Sequence, residues 1–306
     1  MSELASFKKM PDSFDFNDVM QSLQMYMSSV NEFKDINWDG SAAVALLRVL
    51  AYNTEINQIG NSFIFNEISI DSATRRENVA SIASSALAYL PTGKVGAEYL
   101  CDVTVVPEDA SSAPATIKMA RTTSFFASVD GIALNFSPDG EYEADLINGS
   151  YVFYGVRLLQ GVWISNSFPV QTEFGIESYQ LPNPDIDTRT ISVGVLPSSS
   201  ATTFDTYTKV NDLFDLGAAN KRYFLRTNSK GAYTIEFGDD RVCRKLRFGE
   251  VVLVDYLITD GVSGNGVKEL TPVGDVGGFF DVSITALQAQ SSGGSEEESI
   301  ESIKRM

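Results

Sequence analysis

The chain has 306 residues and carries 40 acidic against 23 basic side chains, a net charge of -17, with no histidine. An acidic surface of this kind repels phosphate backbones, so nucleic acid is not an expected partner, and the missing histidine removes Ser-His-Asp and Cys-His catalysis and every His-ligated metal site. The two cysteines, Cys101 and Cys243, are too few for a disulfide framework or a zinc site and read as small buried apolar residues in a reducing compartment.

The first ten residues, "MSELASFKKM", lack the apolar core of a signal peptide, and the longest apolar run, "AVALLRVLAY", is broken by Arg48. Neither secretion by a signal peptide nor membrane insertion is expected. In "FDFNDVMQSLQMYMSSVNEF", Val19, Leu23, Tyr26, Met27 and Val30 recur at helical spacing, with Asp15 or Asn17 as the N-cap. The turn "DINWDGS" follows. Asp35, Asn37, Asp39 and Gly40 match the opening of a calcium-binding EF-hand loop, but the twelfth position is Leu46, where a bidentate Glu is needed, and a helix begins near Ser41. A turn that caps the next helix is the better reading.

That helix is long and has apolar Leu46, Val49, Leu50, Ile56, Ile59, Phe63 and Ile64. Asn53, Asn57 and Asn61, four apart, form one polar stripe on it. The stripe is either a solvated face or a polar seam that fixes register against another helix, and Gly60 beside it favours the seam by letting a second backbone come close. A third helix fits "DSATRRENVASIASSALAYL", capped by Asp71 or Ser72, with Val79, Ile82, Ala83, Ala86 and Leu90 inward and "PTG" as its stop.

From Val95 the pattern changes to period two, with Gly-, Asn- and Asp-marked turns between strands. The expected fold class is therefore α+β: a helical assembly region at 1–92, then a β-rich region of mainly antiparallel sheet at 93–290. A division into two subdomains is expected near 171–187. Residues 291–306, "SSGGSEEESIESIKRM", read as a flexible acidic tail that stops as a new element starts, like a domain junction.

No constellation carries chemistry. "GVSGNG" lacks both the second Gly of a nucleophile elbow at Asn265 and a His to activate Ser263. The acid pairs Asp239–Asp240, Glu141–Glu143 and Asp185–Asp187 are the candidates for a carboxylate-based glycosidase, and turn and surface roles suit all three better. In "YTIEFGDDRVCRKLRFGEVVLVDYL", alternating Tyr233, Ile235 and Phe237 lead into a "GDDR" turn and a second strand, with Arg241, Arg244 and Lys245 placed to neutralise the acids. No catalytic residue, metal or cofactor is expected.

The same stretch, extended through "ITDGVSGNG", resembles the hallmark of the baseplate J-like family of contractile phage tails. Phe237, Gly238, Asp239, Gly249, Val251, Tyr256, Gly261 and Asn265 occupy its positions, and Asp240 stands where the hallmark has Gly. The segments "DGS" at Asp39, "LLRVLAYNTEIN" at Leu46, "NEISIDSA" at Asn66 and "RRENVASIA" at Arg75 are similar to T-even-type baseplate wedge subunits. The resemblance implies a non-enzymatic structural protein of the virion tail baseplate, assembled in the host cytoplasm. It implies a second copy of the chain as partner, other wedge proteins bound through N-terminal helices, and neighbouring wedges. The longer members of the family continue beyond the segment resembling "ESIESIKRM".

We assign Val19, Leu23, Met27 and Val30 as partner-facing, since a lone amphipathic helix needs a surface to bury it, together with Asn53, Asn57 and Asn61 as the seam. The competing assignment packs the first stripe on the chain's own second helix. Two other functions stay open at this point: a carbohydrate-active or carbohydrate-binding β protein using acids and Trp163, and a baseplate part of a bacterial injection machine.

Overall fold

A computed structural model describes residues 15–30, 42–86, 89–129, 131–171, 176–210, 217–228 and 230–305. The calcium-like turn Asp35–Gly40 lies outside the described residues. By its contacts the chain divides into two units, Met1–Thr74 and Arg75–Met306.

The first unit holds two helices, α1 (Phe16–Ser29) and α2 (Ala42–Ile68), which pack on each other. Asp15 stands at the N-cap of α1 with extended backbone, but its side chain makes no capping bond. After α2 the backbone turns through residues 69–74. There Glu67 accepts from the Thr74 N–H at 2.9 Å and the Thr74 hydroxyl at 2.6 Å, while the Ser72 hydroxyl bonds back to the Asn66 carbonyl. Those bonds take up Ser72, and the third helix, α3 (Arg76–Ala86), starts four residues later than a cap at Asp71 predicts. It belongs to the second unit, where its buried residues are Val79, Ala80, Ala83 and Ser84 and it packs on the strand at Arg222–Thr227.

The second unit is built from two sheets. Strands β1 (Glu98–Val106), β2 (Thr116–Met119), β3 (Ser124–Val129), β4 (Ile132–Pro138), β5 (Tyr142–Ile147) and β6 (Ser150–Gln160) lie in the first. The chain then builds all of the second sheet with β7 (Val162–Pro169), β8 (Ser178–Gln180), β9 (Ile186–Leu196), β10 (Asp205–Lys209), β11 (Arg222–Thr227), β12 (Tyr233–Phe237) and β13 (Val251–Ile258). It returns to the first with β14 (Thr271–Val273) and β15 (Asp281–Ala286), and ends in a short helix α4 (Ile300–Lys304). The orders are β14-β3-β4-β6-β1-β15, with β5 beside β6 and β2 beside β5, and β7-β13-β9-β10-β11-β12-β8. Every pairing is antiparallel except β10 with β11, so the chain is α+β as its periodicity predicts.

Strand chemistry follows the pleat. β12 buries Tyr233, Ile235 and Phe237 and leaves Thr234 and Glu236 half-buried between them. β1 and β11 alternate likewise. One core gathers Tyr99, Phe125, Phe136, Tyr151 and Phe153, and the other gathers Tyr207, Tyr223, Ile235, Phe237 and Tyr256. Each such side chain contributes about 1.5–3 kcal/mol on burial.

The two crossings between sheets sit side by side. A Cβ on Gly161 would stand 2.2 Å from the Ile258 carbonyl oxygen, so only Gly lets the strands touch there. Buried Gln160 accepts from the Thr259 hydroxyl at 2.6 Å and the Asp260 N–H at 3.0 Å and donates to the Asp260 carboxylate at 2.8 Å. A side chain at the first crossing thus satisfies a backbone N–H of the second.

Residues 291–305 are bonded into this unit. Backbone bridges join Val95 to Ser295 and Glu98 to Ser292. The Asn265 amide donates to the Gly294 carbonyl at 2.9 Å and accepts from the Gly294 N–H at 2.8 Å. Ser299 caps α4, and Ile303 is fully buried where α4 meets α3. A Ser/Gly/Glu composition predicts looseness; long-range backbone bonds override it here.

Candidate assembly interface

α2 is the element with the most unusual surface. It buries Val44, Leu47 and Ala51, a line at three- and four-residue spacing along one side. The other side is apolar too. Leu46, Val49, Leu50, Ile56, Phe63, Ile64 and Ile68 are all exposed, Leu46 at 68% and Phe63 at 66%. A helix apolar all round is normally buried all round. Over 27 residues, about 40 Å, this one is covered along only one line.

The outward residues have a repeat. Leu46, Asn53 and Gly60 are seven apart, as are Val49, Ile56 and Phe63, and Leu50, Asn57 and Ile64. A seven-residue repeat keeps one seam facing a partner helix, and a polar residue within such a seam fixes register. Asn53, Asn57 and Asn61 are exposed within this apolar face. At Gly60 a Cβ would meet nothing within 4 Å, so the surface there is open. A groove of about 410 Å³ lies beside Ile59 and Phe63, between the start of α1 and the last turns of α2.

The α1 stripe is placed differently. Val19 is buried, and Leu23, Met27 and Val30 are half-buried in a helix that packs on α2. The exposed apolar positions of α1 are Met25 and Tyr26. The apolar positions on the outward face of α2 were visible in the sequence. What was missing was which side of α2 the first helix would cover.

The residues examined for chemistry are engaged elsewhere. Asp239 accepts from the Arg241 and Val242 N–H groups, both at 2.9 Å, which holds its carboxyl below the usual range. Asp240 accepts from the Lys245 N–H, which lowers its carboxyl too, and pairs with Arg247 at 2.9 Å. The expected neutralisation by Arg244 does not occur: its guanidinium bonds to Glu250 and to the Tyr207 hydroxyl, because nearly buried Glu250 needs a partner more than two solvated acids do. Glu143 pairs with Lys118, Asp185 with Lys94, and buried Asp187 with Arg189. Burial pushes the Cys101 thiol up to about 12, which suits a core residue and not a nucleophile.

The hallmark residues turn out to build the body. Phe237 sits in the second core edge-on to Tyr179 and Tyr207. A Cβ on Gly238 would stand 2.2 Å from the Val242 carbonyl oxygen. Asp240, where the hallmark has Gly, has φ 67°, in the left-handed region that Gly favours. Buried Tyr256 donates to Asn183 and accepts from Asn166.

Two matches to known proteins agree with this geometry. Residues 15–86, which span α1 to α3, match the family model described as baseplate wedge protein gp6-like, helical domain. The chain is also 23% identical over 270 residues to the baseplate wedge protein gp6 of Enterobacteria phage T4, across 82% of this chain and 39% of that protein. The chain therefore spans about two-fifths of the length of that relative. By both matches the chain is similar to the wedge subunits of T-even-type phage baseplates, its helical segment 15–86 to the gp6-like helical domain.

Proposed function

We propose that the chain is a structural wedge subunit of a contractile-tail baseplate in the virion, and that it works by assembly and not by turnover. The outward face of α2 carries this reading. Burying half a dozen of its large apolar side chains is worth on the order of 10 kcal/mol before the cost of association, which is itself roughly 4–15 kcal/mol. That balance suits an interface completed by partner helices. The partners are other wedge proteins and a second copy of this chain, with Asn53, Asn57 and Asn61 setting the register. The strand-rich unit then meets neighbouring wedges, and shifts at those contacts pass the trigger for sheath contraction.

The test mixes the chain with the other wedge proteins and follows mass by light scattering. The wild-type chain should form a complex. Ile56→Asp with Ile64→Asp should abolish it without changing the circular dichroism of the isolated chain. Leu23→Asp with Met27→Asp tests the α1 stripe in the same way. Complexes that form equally well with both double variants would remove the helical face from the account.

A further inference from the structure

Within the strand-rich unit, α3 has a thin buried face. Of its buried residues Val79, Ala80, Ala83 and Ser84, only Val79 is larger than alanine or serine, so the helix hides little apolar surface of its own. It packs chiefly on β11 and α4. Its side-chain bonds toward β11 are long: the Ser84 hydroxyl accepts from the Thr227 N–H at 3.3 Å and lies 3.4 Å from the Thr227 carbonyl.

The C-terminal segment holds α3 more closely. Ile303 of α4 is fully buried, a larger apolar side chain than any that α3 buries. Arg76, the first residue of α3, donates from Nε to the Glu298 carbonyl at 2.9 Å and pairs with Glu297 at 2.9 Å. The Glu298 carboxylate accepts from the Tyr89 hydroxyl at 2.9 Å, the Thr92 N–H at 3.1 Å and the Ser302 hydroxyl at 2.7 Å, which ties the chain after α3 to the start of α4. Just upstream, Val95 and Ser295 exchange backbone bonds at 3.0 and 3.1 Å, so residues 297–305 extend from a point fixed on the strand-rich unit.

This joint is weaker than the sheets beside it. Glu297 is half-exposed, so its ion pair with Arg76 is screened by solvent. Arg76 Nη2 is buried and has no hydrogen-bond partner among the described residues, which costs stability at the joint itself. Elements with few buried apolar contacts and strained polar satisfaction open locally before the core strands do.

We propose that α3 and residues 297–305 form a clasp that opens as one cooperative unit while both sheets stay folded. Opening releases the first helix after α2 in the sequence from β11, an order–disorder step built into the fold. The clasp is independent of the outward face of α2, so either can fail alone.

The experiment is native-state hydrogen exchange on the full chain through low urea concentrations. The amides of Ala80 to Ala86 and of Ile303 should converge on one opening curve, less protected than β1 and β12. Ile303→Ala should lower the protection of both groups by the same factor, about tenfold or more. Ser299→Ala, which removes the cap of α4 at an exposed position, is the milder variant and should lower both by about fivefold. Val79→Ala should lower protection at Ile303 as much as at Ala83, because coupling between two sites is reciprocal. In all three variants β1 and β12 should keep their wild-type protection. The proposal is overturned if α3 keeps its protection in both Ile303→Ala and Ser299→Ala, if α3 is as protected as β1 and β12 in the wild type, or if Ser299→Ala lowers β1 and β12 by the same factor as α3.

Discussion

The helical unit and the strand-rich unit handle apolar surface in opposite ways. In β11 and β12 every second side chain is buried, and the apolar positions are matched by a facing core. In α2 only three residues are buried, while Leu46, Val49, Leu50, Ile56, Phe63 and Ile64 stand exposed. The strand-rich unit therefore buries the inward faces of these strands in its own core. The helical unit has a surface whose favourable state is one in which something else covers it. The residues that resemble the baseplate hallmark fall in the strand-rich unit, where they make turns, and the exposed apolar face falls in the helical unit.

This contrast can be broken by mutation. The largest effect is expected in the first core: Phe153→Ala removes a ring that is 1% exposed and should destabilise the strand-rich unit by about 3–5 kcal/mol, read from its urea midpoint. The same truncation at exposed Phe63 on α2 should move the midpoint by less than about 1 kcal/mol. Equal losses at the two sites would mean that the outward face of α2 is already covered.

A smaller effect belongs to the tether at residues 291–305. Burial raises the Glu298 carboxyl, but hydrogen bonds from Ser302, the Thr92 N–H and Tyr89, with Arg76 nearby, outweigh it and leave the group below its ordinary 4.5. A carboxyl depressed in the folded state gives stability that is fully present above pH 4.5 and is lost as the pH falls through the lower folded value. Glu298→Gln should flatten that acid-side loss, measured as the melting temperature between pH 3 and 6, and leave the stability at pH 7 less pH-sensitive below it. An unchanged acid limb would show that Glu298 does not hold the tether.

The smallest effect tests the hallmark turn. Asp240→Ala keeps a side chain at φ 67° and loses the acceptor for the Lys245 N–H, whereas Asp240→Gly loses the same acceptor without the steric cost. The Gly variant should be the more stable of the two by about 1 kcal/mol. A reversed order would mean that the backbone there is not left-handed in solution.

Much of this was legible in the residues. Helical spacing located α1 and α2, period two located most of the strands, and the "GDDR" acids sit in a turn as expected, though Arg244 bonds to Glu250 and not to them. Periodicity names the residues that share a face but not the surface they meet, so it could not say which stripe the two helices would use on each other. Nor could it show that the chain leaves the first sheet at Gly161 and returns after Ile258, because both sheets have the same pattern. The tether at 291–305 was invisible for a related reason. Its bonds run from Asn265 to Gly294 and from Val95 to Ser295, between segments far apart in sequence, and the local composition carries no trace of them.

Amide hydrogen exchange along α2, measured on the isolated chain and again with the other wedge proteins added, tests the central claim most directly. The account predicts fast exchange across residues 46–68 in isolation and strong protection in the mixture, while β11 and β12 stay equally protected in both. Protection of α2 that is the same with and without the other proteins would contradict it.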